Sequence, residues 1–289
     1  MKIISLFSVV RGYNVFLIAL AQYLAAIFIL AKDLPAITTI TDVDLLCIVI
    51  ASSLTIASGY IINNFYDSQK DLINRPKKSM LERLVSQKTK LNTYFTINFI
   101  VVIFAWIVSW RAALFFSIYI FLVWFYSHKI KKFTVLGNIM SSLLAILPFF
   151  AIFLMYHKSI QHQSTYIVIF AHALFLFILL LIKELTKDLR NIIGDFSNNY
   201  LTIPVVYGEN TSKKYISILS ILTIFPVYVL IELDDVGYMD IYFYICLLFL
   251  IFYNLKLWKS KNKLQYTNLL IALKIIIGAG VFCIVLIDP

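Results

Sequence analysis

Nine apolar stretches, separated by short polar segments, constrain this chain more than any other feature. They fall at roughly 13–31, 43–63, 92–110, 112–127, 134–156, 165–186, 213–231, 239–257 and 266–287. A bilayer core of about 30 Å takes roughly 20 apolar residues per helix, so each run has the length of a membrane span. Composition agrees: 61% of the 289 residues are hydrophobic and 14% charged, with mean hydropathy +0.88, far beyond what a soluble domain of this size needs. The expectation is an all-α integral membrane protein of nine helices, one polytopic domain over residues 1–289 with no soluble part.

Charge then gives orientation. The formal net charge is +10, yet Lys and Arg are spread among the segments between apolar runs rather than gathered on a soluble face. They crowd the segments after the second, fourth, sixth and eighth runs: Lys70, Arg75, Lys77, Lys78, Arg83, Lys88 and Lys90; Lys129, Lys131 and Lys132; Lys187, Arg190, Lys213 and Lys214; Lys256, Lys259, Lys261 and Lys263. The alternate segments hold only Lys32, Arg111 and Lys158. The positive-inside rule places the N-terminus in the cytoplasm and Pro289 outside. The basic balance is read as topology, the partner as the lipid bilayer, and nucleic acid as no partner.

Lys2 and Arg11 precede the first run with no small-residue cleavage site, so that run is read as a retained span. Trp110 and Arg111 mark a helical hairpin, while Pro148 and Pro226 predict kinks in the fifth and seventh helices. The acidic segment Glu232, Asp234, Asp235 and Asp240 falls on the outer side and is read as a solvated loop. Cys47, Cys246 and Cys283 sit far apart in apolar runs and indicate neither a disulfide framework nor a metal site. His128, His157, His162 and His172 show no repeated spacing or paired acid and are assigned no chemistry.

Two acidic stripes interrupt this pattern. Asn63, Asp67 and Asp71 follow the second run at successive i, i+4 spacings, which puts them on one helix face. Glu184, Asp188, Asn191 and Asp195 recur at i, i+4, i+7 and i+11 at the end of the sixth run, with Lys183, Lys187 and Arg190 beside them. Carboxylates on one stripe can share a hard cation, and the adjacent cations suit a polyphosphate. The plain alternative for the first stripe is a polar helix end whose acids pair with Lys70 or Arg75. Against it stands the second stripe, since ionisable groups at membrane depth are costly and tend to be functional. Similar stripes after the second and sixth runs hint at an ancient duplication.

Asn63-Asn64-x-x-Asp67-x-x-x-Asp71, continued by Asn74-Arg75-Pro76, resembles the first aspartate-rich motif of the UbiA superfamily of membrane prenyltransferases. Lys187-Asp188-x-x-Asn191-x-x-Gly194-Asp195, with Thr202-Ile203-Pro204 and Tyr207-Gly208 beyond it, is similar to the second. Arg11, Asn14, Tyr126-Ser127, Lys129, Lys131 and Gly137-Asn138 fall where that family has matching residues, so the resemblance covers nearly the whole chain. The Asn-Arg-Pro continuation and the Lys-Asp form of the second motif are most like the digeranylgeranylglyceryl phosphate synthase branch.

The resemblance implies a UbiA-like bundle and Mg2+-dependent transfer of a polyprenyl group from its diphosphate to a lipophilic acceptor, preferably geranylgeranylglyceryl phosphate. Asp67, Asp71, Asp188 and Asp195 are the expected catalytic acids. They would hold magnesium together with Asn63, Asn64, Glu184 and Asn191. Arg11, Asn14, Arg75, Tyr126, Lys129, Lys131, Asn138 and Lys187 are the expected substrate-binding residues, and the basic loop of Arg75, Lys77 and Lys78 is a candidate for the acceptor's phosphate. Asn64 and Asn191 depart from the family, each standing where Asp is usual; an amide oxygen still ligates magnesium, with less charge. Arg11 also reads as a topogenic charge, Asn14 as a helix-packing amide, and Lys129, Lys131 and Lys132 as positive-inside residues. The active site is expected to face the cytoplasm, across the plasma membrane in a bacterium or archaeon. Other readings are an aromatic-acceptor enzyme of quinone or related biosynthesis, a non-catalytic polyprenyl-diphosphate-binding protein, and a transporter.

Overall fold

The computed structural model describes residues 2–32, 34–157, 163–232 and 236–287. Lys158, His162, Asp234, Asp235 and Pro289 of the sequence argument lie outside these residues. The described residues are helical with no strand among them, and nine of their helices are long and apolar enough to cross a membrane: Gly12–Leu30, Val43–Tyr66, Gln87–Val108, Trp110–Lys132, Leu136–Tyr156, Tyr166–Ser197, Glu209–Glu232, Gly237–Lys259 and Lys263–Leu286.

In chain order the helices are α1 (Lys2–Val10), α2 (Gly12–Ala25, continued by a π turn at Ala26–Leu30), α3 (Ala36–Ile40), α4 (Val43–Tyr66) and α5 (Ser68–Asn74). Then come α6 (Pro76–Glu82), α7 (Gln87–Val108), α8 (Trp110–His128), α9 (Leu136–Tyr156) and α10 (Gln163–Ser197). The last are α11 (Ile203–Tyr207), α12 (Glu209–Leu222), α13 (Ile224–Glu232), α14 (Asp240–Lys259) and α15 (Lys263–Cys283). Their boundaries follow local chemistry. Asp42 caps α4, its carboxylate accepting from the Asp44 amide at 2.9 Å, and Ser86 caps α7 from the Thr89 amide at 3.1 Å. The predicted hairpin turns on one extended residue, Ser109 (φ −172°, ψ 159°), whose hydroxyl accepts from the Ala112 amide at 3.1 Å. Asn262 and Gln265 close a reciprocal capping box on α15.

The prolines behave differently from each other. The seventh span breaks at Thr223, where the ring of Pro226 would meet the Leu222 carbonyl four residues back. By contrast α9 runs through Pro148 without interruption, and the Pro148 carbonyl accepts from Gln22 Nε2 at 2.8 Å.

Beside a small hydrophobic cluster of Val9, Ile61, Ile62 and Tyr94, two large ones hold the bundle. One gathers α2, α4, α7, α8 and α9, around Leu45, Ala51, Val101, Phe116 and Ile152. The other gathers α10 and α12 to α15, around Leu179, Ile216, Leu230, Phe243 and Leu273. Phe95, Phe99 and Trp106 of α7 and Ile251 and Phe252 of α14 remain exposed; on membrane helices such faces meet lipid. A cavity of about 600 Å³ draws its walls from both clusters. Its deeper part is mostly apolar, with Ile29, Phe149, Phe175, Leu179 and Ile284 among the lining residues.

Candidate active site

The first acid stripe survives an interruption in its helix. Asp67 ends α4 with φ −88° and ψ 5°, but the backbone bonds continue at four-residue intervals. Asp67 N reaches Asn63 O at 2.9 Å, Asp71 N reaches Asp67 O at 2.8 Å, and Arg75 N reaches Asp71 O at 2.8 Å. One face is thereby kept from α4 into α5, and Asn63, Asp67 and Asp71 all line the cavity. From α10, Glu184, Asp188, Asn191 and Asp195 line the same cavity. Gly194 allows the two stripes to approach: a Cβ at that position would run into the side-chain amide of Asn74 on α5.

Cations occupy the space between the stripes. Lys131, from the loop after α8, places Nζ 2.7 Å from Asp67 Oδ1 and donates to Asn63 Oδ1 at 2.9 Å. Lys70 Nζ lies 3.8 Å from Asp67 and 3.5 Å from Asp195, so it ties one stripe to the other. Arg75 pairs with Asp71 at 2.6 Å. Asn138 Nδ2 donates to Asp188 Oδ2 at 2.6 Å, and Glu184 takes Lys187 as its close partner, with Lys183 at 3.5 Å. Tyr126 stands in the wall, Asn14 donates to the Tyr60 hydroxyl at 3.1 Å, and the Arg11 guanidinium lies 4.7 Å above the Tyr60 ring.

Tyr200 completes the Asp67 surroundings. The chain turns at Asn199, whose φ of 57° is left-handed and is tolerated by Asn better than by most residues. The Tyr200 hydroxyl then donates to Asp67 Oδ1 at 2.6 Å, and Lys70 Nζ sits 3.7 Å from its ring centre. Burial alone would raise the Asp67 carboxyl. The charges of Lys131 and Lys70 and the hydrogen bonds from Lys131 and Tyr200 outweigh it and hold the group at about 2. Burial and the adjacent Asp67 charge push the Tyr200 phenol up.

Most of the expected site is thus brought together, with two exceptions. Asn64 turns away from the cavity and donates to the buried Glu82 at 2.8 Å. It stands one residue beyond Asn63, about 100° around the helix, and cannot share the stripe's face. Lys129 is exposed, outside the cavity wall. The basic loop also differs from its expected role: Arg75 is engaged by Asp71, Lys78 lies 3.4 Å from Glu82, and Lys77 is exposed away from the cavity.

The donor set suits a hard divalent cation. Asp67, Asp71, Asp188, Asp195, Asn63 and Asn191 offer oxygen ligands from their acid and amide groups around one cavity, and buried Asp195 Oδ1 has the Lys70 ammonium at 3.5 Å but no closer hydrogen bond. Among the described residues no three acid, His or Cys side chains form a preformed cage. Magnesium seldom uses one, being held by one or two carboxylates together with substrate phosphates. The residues therefore fit a cation that arrives with a diphosphate.

Fold and site together define an intramembrane enzyme with a charged pole at one end of an apolar chamber. Residues 15–275 match the UbiA prenyltransferase family, so the chain belongs to that family and is a prenyltransferase. The digeranylgeranylglyceryl phosphate synthase of Methanobrevibacter smithii is 24% identical over 212 residues, which span 71% of this chain and 69% of the relative. A solved structure of a digeranylgeranylglyceryl phosphate synthase superposes with a TM-score of 0.71 at 18% identity, over 99% of this chain and 98% of the other. A UbiA homologue from Archaeoglobus fulgidus bound to GPP and Mg2+ superposes with a TM-score of 0.69 at 14% identity, over 97% and 99% of the two chains.

Proposed function

We propose that this prenyltransferase moves a polyprenyl group from its diphosphate to the hydroxyl of geranylgeranylglyceryl phosphate, with magnesium, from the cytoplasmic side of the membrane. The observation that carries the reading is the convergence of both acid stripes and their lysines on one pole of a cavity that is otherwise mostly apolar. A polyprenyl diphosphate has the same division. The relative from M. smithii is a digeranylgeranylglyceryl phosphate synthase, and the A. fulgidus homologue binds a prenyl diphosphate and Mg2+. Orientation rests on charge: the stripes share their end of the bundle with Lys70, Arg75, Lys131 and Lys132, as the positive-inside rule requires of a cytoplasmic face.

In this reading Lys131, Lys70 and Lys187 exchange their carboxylate partners for diphosphate oxygens, and Asn138 and Tyr200 hold Asp188 and Asp67 in position. Magnesium, held by Asp67 and Asp71 and by Asp188 and Asp195, would neutralise charge on the leaving diphosphate. The bond from C1 of the prenyl chain to the diphosphate oxygen breaks, the electron pair leaves with that oxygen, and the acceptor oxygen bonds to C1. The hydroxyl proton passes to the departing diphosphate. Apolar walls bury the tail and keep water from competing for the allylic carbon, while the Tyr60 and Tyr126 rings at the pole can stabilise positive charge.

The test uses purified protein in nanodiscs with magnesium, labelled geranylgeranyl diphosphate and a panel of geranylgeranylglyceryl phosphate, 4-hydroxybenzoate, dihydroxynaphthoate and homogentisate. Transfer to the glycerol phosphate is the expected result. Transfer only to an aromatic acceptor would place the enzyme in quinone-type chemistry and reject the ether-lipid reading.

A further inference from the structure

The cavity carries more positive charge than its acid pole accounts for. Eight cationic side chains line it against five carboxylates. Lys70, Arg75, Lys131 and Lys187 are paired with those acids, and Lys183 is a looser second partner of Glu184. Arg11, Arg190 and Lys274 form no ion pair with a carboxylate among the described residues.

These cations come from three helices. Lys183 and Arg190 are seven residues apart, two turns along one face of α10. Lys274 stands in mid-span on α15, which packs against both α10 and α2. Arg11 precedes α2 in a left-handed backbone conformation, φ 53° and ψ 55°, a strained geometry that a non-glycine residue keeps only where its surroundings impose it. All four line the one cavity; Arg190 donates Nε to the Asn191 amide oxygen at 3.0 Å and Arg11 lies over the Tyr60 ring, so neither guanidinium is paired with a carboxylate among the described residues. Like charges gathered at membrane depth are costly without an anion. A diphosphate that arrives with magnesium brings its own neutralising charge, so it does not account for this surplus.

We propose that Arg11, Lys183, Arg190 and Lys274 form a second anion site that takes the phosphomonoester headgroup of the acceptor lipid. The site adjoins the carboxylate-lined pole that takes the donor, Lys183 lying 3.5 Å from Glu184. The assignment rests on the ether-lipid reading above and replaces the Arg75, Lys77 and Lys78 loop as the place for that phosphate. It gives the two lipid substrates separate charged anchors in one chamber, so their tails share apolar walls while their headgroups remain apart.

The experiment measures equilibrium binding to the full chain in nanodiscs of geranylgeranylglyceryl phosphate and of its dephosphorylated alcohol without magnesium, and of geranylgeranyl diphosphate with magnesium. Wild type, Lys274→Gln and the charge-keeping Lys274→Arg are compared. The proposal expects Lys274→Gln to weaken the phosphorylated acceptor on the order of tenfold, the size of one lost charge-assisted hydrogen bond, and Lys274→Arg to keep most of that binding. The alcohol and the diphosphate should bind as before, which also shows that the variants are folded. Unchanged binding of the phosphorylated acceptor, or an equal loss for the donor, overturns the second site while leaving the ether-lipid reading intact. A wild type that binds phosphorylated and dephosphorylated lipids alike overturns both.

Discussion

Asp67 collects more partners than any other acid in the chamber: Lys131, Lys70 and the Tyr200 hydroxyl all meet it. Its carboxyl is held at about 2, below its ordinary 3.8. A depressed folded value stabilises the protein fully above the unfolded value, and the contribution fades as pH falls through the folded one. Stability owed to Asp67 should therefore be constant from neutrality to about pH 4 and be lost between about 4 and 2, as read by thermal unfolding in detergent. Tyr200→Phe removes one hydrogen bond from a buried carboxylate. It should cost about 1–3 kcal/mol in the same measurement and move the acid transition to higher pH. Asp188→Ala should lower kcat on the order of a hundredfold, the usual loss when one preorganised electrostatic group is removed, with fold retained.

Residues differ in how openly the sequence shows them. Asn63, Asp67 and Asp71 are legible because a helix repeats its face every three to four residues. The same arithmetic argues against Asn64, which motif membership alone had placed with them. Tyr200 lies beyond α10, after a left-handed Asn199, where no periodicity announces its role. Lys274 did leave a signal, a lone cation inside an apolar run, of the kind that marks function in a membrane span.

At the scale of elements, the approach of α5 to α10 decides whether two stripes become one site. Gly194 is the contact, with the Asn74 amide lying where a side chain would begin. Gly194→Ala should push the buried Asn74 side chain out of place at a cost of about 1–3 kcal/mol, typical of overpacking, and weaken diphosphate binding. Adding Asn74→Ala removes the obstructing amide and should restore part of that binding, measured with geranylgeranyl diphosphate in nanodiscs. Such a contact is invisible in the sequence, because it depends on the rotation of α10 against a helix more than a hundred residues earlier. The spans themselves were legible from apolar length. The break in the seventh span three residues before Pro226 was foreseen only as a kink, whereas Pro148 is absorbed within a continuous α9.

For the molecule as a whole, two hydrophobic clusters flank a chamber whose one end is ionic. Nine apolar runs are enough to foresee the bundle, and two acid stripes the pole. The excess of cations over carboxylates emerges only when α2, α10 and α15 are assembled. The central claim is that the two stripes act together on a magnesium-bound prenyl diphosphate. Its most direct measurement is transfer of labelled geranylgeranyl groups to geranylgeranylglyceryl phosphate by wild type, Asp67→Ala and Asp188→Ala, with and without magnesium. Product formed by wild type with magnesium, cut on the order of a hundredfold in either variant and absent without the metal, is the result this account predicts. Equal product from a variant lacking either acid, or transfer that persists in a chelator, would contradict it.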